Sequence, residues 1–508
     1  MAVVLACDLG STSLRAALID ERGGVVGEAR RPGPLVTGLA GAAEVDPDAW
    51  WEAFTQVCGS LASDNPHAYA SIQGIAICGV TRTQVFVGVD GVPLRPAITW
   101  RDVRSEELAS RLRQRQADRH PEAANINAFH PLARLSWLKE AEPVAAASLA
   151  CLLDPKDYIN ARLTGVRASD PVSMARLLAA AEPGRDASGA PTADLLSVAG
   201  FPRSVVPALR EPWEVVGPIR LDIRAPFDGL PGIPVFCGSN DTWAAVLGLG
   251  AMRDGIAYNI SGTTEVLGIV ARKPLQGEGL LSVDWRGLHQ LGGPSQNGAD
   301  TVAWFMSILG EVSRAGEGAS PLGEGLDILL SGPRQLERVL FLPYLQGERV
   351  PYWDPSLRGA FVGLGRRHTA TDLAWAVLEG IAFQNRVVLE RAEEAVGIPV
   401  SEIRFGGGAA ANARWRQIKA DVCGRTVLVG EAAEPGLLGA AALAWTGLGR
   451  FSSLAAAQEA LVQVAAIHRP DPARSKIYDA QYSLFRRTET ALAPISRDMV
   501  ALAQRLPA

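Results

Sequence analysis

Val3-Val-Leu-Ala-Cys-Asp-Leu-Gly-Ser-Thr-Ser-Leu-Arg-Ala-Ala-Leu-Ile19 opens the chain, and its central turn, Asp8 to Ser13, returns near mid-chain as Ser261-Gly-Thr-Thr264. Val3 to Cys7 is an unbroken apolar run, the turn is glycine and hydroxyl residues, and Leu14 to Ile19 is apolar again. That order predicts strand, turn and returning strand. Gly23-Gly24 predicts a tight turn into a third strand, Val25 to Ala29. In the second half, Gly255 to Ile260 predicts a strand, Ser261 to Thr264 the turn and Val266 to Val270 the return. One loop chemistry between similar strands in each half is a weak internal repeat. It predicts two related α/β domains facing each other across a cleft. Coincidence is the competing account, because short strand–glycine–strand hairpins are common.

Such a turn suits phosphate. Glycine lets the backbone approach closely, so that consecutive N–H groups converge on one anion. Ser11, Thr12 and Ser13 add hydroxyl donors and Arg15 adds charge. Asp8 is a candidate Mg²⁺ ligand, directly or through water, because that ion prefers oxygen; a solvated turn with a capping aspartate is the alternative. The chain has no Gly-x-x-x-x-Gly-Lys-Ser/Thr loop, and the first strand lacks a dinucleotide fingerprint. Gly406-Gly-Gly408 follows the strand-like Ile403 to Phe405 and precedes a helical stretch near Asn412, a second place for a nucleotide to approach backbone.

A length of 508 residues exceeds one ordinary core, so two large domains, or three, are expected. The net charge of −5, without a basic stripe, argues against nucleic acid, which demands concentrated positive charge. Six scattered cysteines with no CxxC pair argue against zinc and against a disulfide framework, and fit a reducing cytosol. The apolar run at the start stops at Asp8 and Gly436 to Gly449 is too short to span a bilayer, so the expectation is a cytoplasmic chain without a membrane partner. The six histidines show no paired spacing.

Between the loops, Trp50 to Ala62 has helical spacing, with Trp51, Phe54, Val57 and Leu61 on one face. Ser71 to Gly79, Val85 to Val89 and Ala97 to Trp100 read as strands, and 141–209 as mostly helix and loop. Pro231 to Val235 predicts a strand that ends at Cys237-Gly-Ser-Asn-Asp241, before a helix from Thr242 to Leu249.

Taken in order, these segments resemble the FGGY carbohydrate kinases of the actin-like ATPase superfamily. Asp8-Leu-Gly-Ser-Thr-Ser-Leu-Arg15 and Asn259-Ile-Ser-Gly-Thr-Thr264 resemble the two phosphate loops. His130 to Glu140 is similar to the first family signature, with Arg134 in place of the usual lysine. Gly347-Glu-Arg-Val-Pro-Tyr-Trp-Asp-Pro355, Arg358 to Leu364 and Asp372 to Glu379 fit the second, and Gly406 to Asn412 resembles the adenine-side loop. The likeness spans essentially the whole chain. It implies an α/β fold of two actin-like (ribonuclease H-like) ATPase domains with an interdomain cleft. The expected limits are 1–250, 251–475 and a helical extension, 476–508.

The same resemblance implies ATP and Mg²⁺ as cofactors and a small sugar or polyol as partner; a homodimer is left open. Its catalytic aspartate, in a Gly-x-x-Asp turn before a small-residue helix, falls on Asp241, also a metal candidate with Asp8. Asp is equally at home as a helix N-cap, the structural alternative. Ser11, Thr12, Ser13, Arg15, Gly262, Thr263, Gly298, Gly408 and Asn412 are the implied nucleotide contacts. Counting back from Asp90, Thr83-Gln84 occupies the place of the dipeptide by which family members read the acceptor, and matches neither Arg-Glu of glycerol kinases nor Met-His of xylulokinases. Trp100 and Asp102, in a Trp-x-Asp-x-Arg turn, complete the acceptor set, with a structural ion pair as the competing role for Asp102. Leu94 to Ile98, Gly347 to Pro351 and His468 to Pro472 look most like the xylulokinase branch, which implies a ketopentose such as D-xylulose. Another ketose or polyol, or a non-catalytic actin-like sensor, are the alternatives.

Overall fold

The computed structural model describes residues 1–38, 41–186, 188–310, 323–397, 399–503 and 505. They divide into two α/β units, Met1–Gly248 with Gly436–Leu461, and Leu249–Pro435 with Val462–Ala508. The first boundary lies close to the expected 250. The later ones differ: the second stretch is not continuous to 475, because Gly436–Leu461 belongs to the first unit.

In the first unit, Val3–Leu9 is the central strand of a six-stranded mixed sheet. Ser13–Asp20 pairs antiparallel with it in the register Asp8↔Arg15, and Val25–Pro32 continues the meander. On its other side, Ile72–Gly79 runs parallel to it and Pro234–Phe236 parallel to that, with Val215–Pro218 antiparallel at the edge. Val3 to Cys7 is buried on both faces, which is why this strand reads as a continuous apolar run. One face meets helix Pro47–Asp64, whose N-cap Asp46 accepts from the Asp48 N–H at 3.0 Å. The buried side of that helix carries Trp50, Phe54, Val57, Cys58 and Leu61. Trp50 therefore takes the place expected for Trp51, which lies half-buried under the Arg162 guanidinium.

The second unit repeats the plan. Ile256–Ser261 pairs antiparallel with Glu265–Ala271, which pairs antiparallel with His289–Pro294. On the other side come Glu402–Gly406 and Thr426–Gly430, both parallel, and Val464–His468, antiparallel. Leu281–Asp284 adds a seventh strand beyond His289–Pro294. Six successive strands thus share one set of directions in both units, and five of them one chain order; the antiparallel edge strand precedes its neighbour in the chain in the first unit and follows it in the second. That is strong support for reading the repeated loop as a structural duplication.

Helix Ala370–Val396 forms much of the second core, with Val377, Ile381, Phe383 and Val388 buried. The stretch expected as a helical extension, 476–508, contributes its helix to that core. Helix Pro472–Ala503 packs Tyr478, Tyr482 and Phe485 around Phe383, at ring-centroid distances of 6.1, 6.0 and 5.3 Å. The Tyr478 hydroxyl donates to Glu379 at 2.8 Å. Among the described residues no helix is long and apolar enough to cross a membrane.

Candidate functional site

In the first unit the first loop and the Asp241 turn lie at the same end of the parallel strands, and the charge of Asp241 reaches Asp8. Burial, then the charge of Asp241, pushes the Asp8 carboxyl up to about 7, against the cross-strand Arg15 and the Cys78 thiol. Asp8 Oδ1 is buried and has no hydrogen-bond partner. Burial pushes Asp241 up to about 6, against the Thr242 N–H and hydroxyl and the positive charge of Arg82. Asp241 is not the helix cap: Asn240 Oδ1 accepts from the Trp243 N–H at 2.9 Å, which leaves Asp241 as the first helical residue. Its carboxylate is thereby released from the structural role that Asp commonly fills at a helix start.

The Cys237–Asn240 turn is held residue by residue. The Cys237 and Gly238 N–H groups donate to Glu214 O and Pro212 O, each at 2.9 Å, and the Gly79 N–H donates to Ser239 O at 3.3 Å. Gly238 has φ +71°, and a Cβ there would lie 1.8 Å from Ile77 O. Only glycine accommodates both. Gly238→Ala is therefore expected to destabilise the protein by about 3 kcal/mol or more, read as a lowered unfolding midpoint; an unchanged midpoint opposes this geometry.

Arg82, beside Thr83, is a residue that the sequence did not single out. It takes φ 54°, unusual for a residue with a Cβ, and its charge reaches Asp241. Its carbonyl accepts from Arg134 Nη1 at 2.6 Å. Arg134 is fully buried and also donates to Gln84 Oε1 and, through Nη2, to Thr99 O at 2.6 Å. The guanidinium fork that replaces lysine thus ties the Arg82–Gln84 segment to the Trp100 turn. Gln84 is consumed by that tie, whereas Thr83 and Trp100 line a small cavity with Ser11, Val80 and Arg101. Asp102 is buried and held by the Ala43 N–H at 2.9 Å and by Arg104 Nη2 at 2.7 Å. A hydroxyl reaches it only if that ion pair opens. Ser11 and Thr12 are exposed, and Ser13 is half-buried in the strand.

In the second unit three glycine turns converge. The N–H groups of Ala299 and Asp300 donate to Gly262 O and Thr263 O at 3.1 and 3.2 Å, which docks the start of helix Ala299–Ile308 on the second loop. Gly298 lies against Thr264, where a Cβ would come within 2.7 Å of its backbone. Gly407, at φ +89°, lies against Ser261 O, and the exposed Gly408 follows it. Asn412 is committed inside the unit: Oδ1 caps Trp415 at 3.0 Å and Nδ2 donates to Asp327 at 2.9 Å.

Two further groups brace these turns. Glu348, of the Gly347–Pro355 segment, accepts from Ser295 Oγ, the Gln296 N–H and Asn297 Nδ2 at 2.8, 2.6 and 3.1 Å, and so holds the segment that leads to Gly298. Lys419 is buried behind the second loop, 3.0 Å from Glu265 Oε2 and 2.7 Å from Asn259 Oδ1, while Glu265 Oε1 accepts from Ser261 Oγ.

Among the described residues no three His, Cys, Asp or Glu side chains cluster as a metal cage. Asp8 and Asp241 still fit Mg²⁺, which keeps water and phosphate oxygens in its shell and needs one or two carboxylates from the protein. The unpartnered Asp8 Oδ1 is the specific sign of that fit.

Comparison with known proteins bears on the whole arrangement. The model of the FGGY family of carbohydrate kinases, N-terminal domain, matches residues 3–248. That of the C-terminal domain matches residues 257–448. A xylulose kinase from Escherichia coli (strain K12) is 29% identical over 96% of this chain and 99% of that protein. A gluconokinase from Bacillus subtilis (strain 168) is 26% identical over 95% of this chain and 94% of that one. The crystal structure of a xyloylose kinase from Brucella ovis superposes with a TM-score of 0.83 at 27% identity, covering 97% of this chain and 100% of that one. With both family models matched in order, the chain belongs to the FGGY family of carbohydrate kinases, and it is similar to the xylulose kinases among them.

Proposed function

We propose that this chain transfers the γ-phosphoryl group of ATP to a hydroxyl of a small sugar, with Asp241 as the general base and a ketopentose such as D-xylulose as the acceptor. The observation that carries the reading is the Asp241 carboxylate: it is freed from capping by Asn240 and raised to about 6 by burial. A base with that affinity is ionised at neutral pH yet takes a proton readily. The repeated mixed sheet supports an actin-like, ribonuclease H-like ancestry for both units.

Asp8 and Asp241 would hold Mg²⁺, which when bound neutralises charge on the phosphates. Arg15, opposite Asp8, favours the ionised form of that carboxyl. In the second unit, the exposed Gly262, Thr263 and Gly408 present backbone and hydroxyl groups for the nucleotide. Thr83, Trp100 and Ser11 offer the acceptor one wall of a cavity. Six unpaired, buried cysteines suit a reducing, cytoplasmic setting.

Arg82 favours a second acceptor. A cation whose field reaches Asp241 suits a sugar acid, and a gluconokinase is among the similar proteins. ADP release measured over D-xylulose, D-ribulose, erythritol, glycerol and D-gluconate separates the two. The ketopentose reading expects the highest kcat/KM with a pentulose and little change in it for Arg82→Met. Best turnover with gluconate, together with a gluconate KM raised roughly tenfold by Arg82→Met, would replace the ketopentose with the aldonate. Turnover of none of these acceptors would count against a sugar kinase of either kind.

A further inference from the structure

A lysine and three aspartates lie buried beneath the Asp241 turn. Lys156 and Asp157 open helix Pro155–Thr164, Asp154 precedes it, and Asp170 follows the short strand Ala168–Ser169. The side chains of Lys156, Asp157 and Asp170 are at most 1% exposed. Lys156 Nζ donates to Asp157 Oδ1, lies 2.9 Å from Asp170 Oδ2 and donates to Cys237 O at 3.4 Å. Asp170 Oδ1 accepts from the Val172 and Ser173 N–H groups, each at 3.0 Å, and from Ser239 Oγ at 2.9 Å. Asn160 Nδ2 donates to Cys237 O at 2.9 Å. Asp157 Oδ2 accepts from the Asp154 N–H at 3.1 Å and Ser169 Oγ at 2.6 Å, which ties the cluster to its own helix and to the adjoining strand.

None of these groups is surface-exposed, and a buried ion pair is a poor way to gain stability, because desolvation offsets much of its attraction. Well-packed apolar side chains of the same volume would serve the fold as well. What charged, directional partners add is a defined position for the atoms that they hold. Here those atoms belong to Cys237 and Ser239, in the turn that ends on Asp241. The second unit uses the same device, with Lys419 and Glu265 behind the Ser261–Thr264 loop. In each unit the lysine sits on a helix that lies, in the chain, between the two parallel strands stacked in succession on one side of the central one.

We propose that Lys156 and Asp170 are positioning residues for phosphoryl transfer, acting through Ser239 and the Cys237 carbonyl to hold the carboxylate of Asp241 at the acceptor hydroxyl. The proposal rests on Asp241 being the base. A misplacement of about an ångström at such a group costs on the order of a hundredfold in rate, so a loosened turn should show in kcat before it shows in ATP binding.

Ser239→Ala removes one hydroxyl and leaves the backbone bond to Gly79 in place; Asp170→Asn keeps the shape and weakens the hold on both Lys156 and Ser239. Initial rates with Mg-ATP and the best acceptor should show kcat lowered roughly tenfold in Ser239→Ala, with the KM for ATP within about twofold of wild type. Asp170→Asn should fall further. The double variant should be no slower than Asp170→Asn alone, since both lie on one path. Normal kcat in Ser239→Ala, or effects that multiply independently in the double variant, overturns the proposal. A lowered melting temperature with kcat per folded enzyme unchanged also overturns it, as the mark of a merely structural cluster. Should Asp170→Asn fail to fold, Ser239→Ala decides alone. Loss of turnover in Asp241→Asn alongside a wild-type Ser239→Ala removes only the positioning role; a fully active Asp241→Asn enzyme removes the base assignment and this proposal with it.

Discussion

Asp241→Asn should lower kcat by roughly 10²–10⁴-fold, the span over which a positioned general base acts, while leaving ATP binding close to wild type. The amide keeps the size of the side chain and its acceptor oxygen toward the Thr242 N–H, which the carboxylate accepts at 2.6 Å. Asn240 continues to cap the helix, so the fold should be undisturbed. What disappears is the ability to take a proton, together with the negative charge that Asp241 would offer to Mg²⁺ beside Asp8. In the wild-type enzyme turnover should fall as pH drops from about 7 through about 6, as first Asp8 and then Asp241 become protonated. Acceptor-dependent ADP release, measured from pH 5 to 8 for both proteins, tests the pair of expectations. Substantial residual turnover, or a wild-type profile flat through that range, would remove Asp241 from the role.

The sequence was most legible where structure is local. Val3 to Ile19 and Gly255 to Val270 alternate apolar runs with glycine turns, and each became the antiparallel pair that those runs predict. Asp8 and the loop hydroxyls could be singled out because their chemistry is written in adjacent residues. The cap was harder to place. Asn240 and Asp241 are both favoured N-cap residues, and only the bond from Asn240 to the Trp243 N–H settles which one caps. Trp50 and Trp51 pose the same one-residue problem on a helix face, decided by what packs against it.

Long-range pairing was not legible at all. Nothing near Gly436 announces that it returns to the first unit, yet a Cβ there would sit 2.9 Å from Asp8 Oδ2. The tie of Asp102 to Ala43 crosses 59 residues, and that of Lys156 to Cys237 crosses 81. Arg134 stood out as a departure from a family pattern, but its bonds to Arg82, Gln84 and Thr99 depend on two separate segments folding around it. Turn chemistry is carried by neighbours in sequence; the positioning of a side chain is carried by neighbours in space.

Asp8→Asn should separate function from stability. Burial and the charge of Asp241 raise the Asp8 carboxyl from 3.8 to about 7 in the folded protein. Between those values the folded state holds a proton that the unfolded chain has released. The protonated group's contribution to stability is therefore fully present below pH about 4 and lost as pH rises through about 7. Above that, the folded protein carries a charged carboxylate with one buried, unpartnered oxygen. Asparagine removes the charge, so at pH 8 and without nucleotide the variant should be more stable by about 1–2 kcal/mol, a few degrees in Tm, with the gain vanishing near pH 4. Turnover should move the other way, falling by roughly a hundredfold or more with the loss of a charge that serves phosphoryl transfer. A stable but slow enzyme is the pattern expected where a site holds a strained charge for its reaction. Thermal melts at pH 4 and pH 8, set beside Mg-ATP turnover, decide it. A variant less stable than wild type at pH 8 would mean that Arg15 and the Cys78 thiol outweigh the cost of burying the Asp8 charge, and full turnover would mean that its charge plays no part in the reaction.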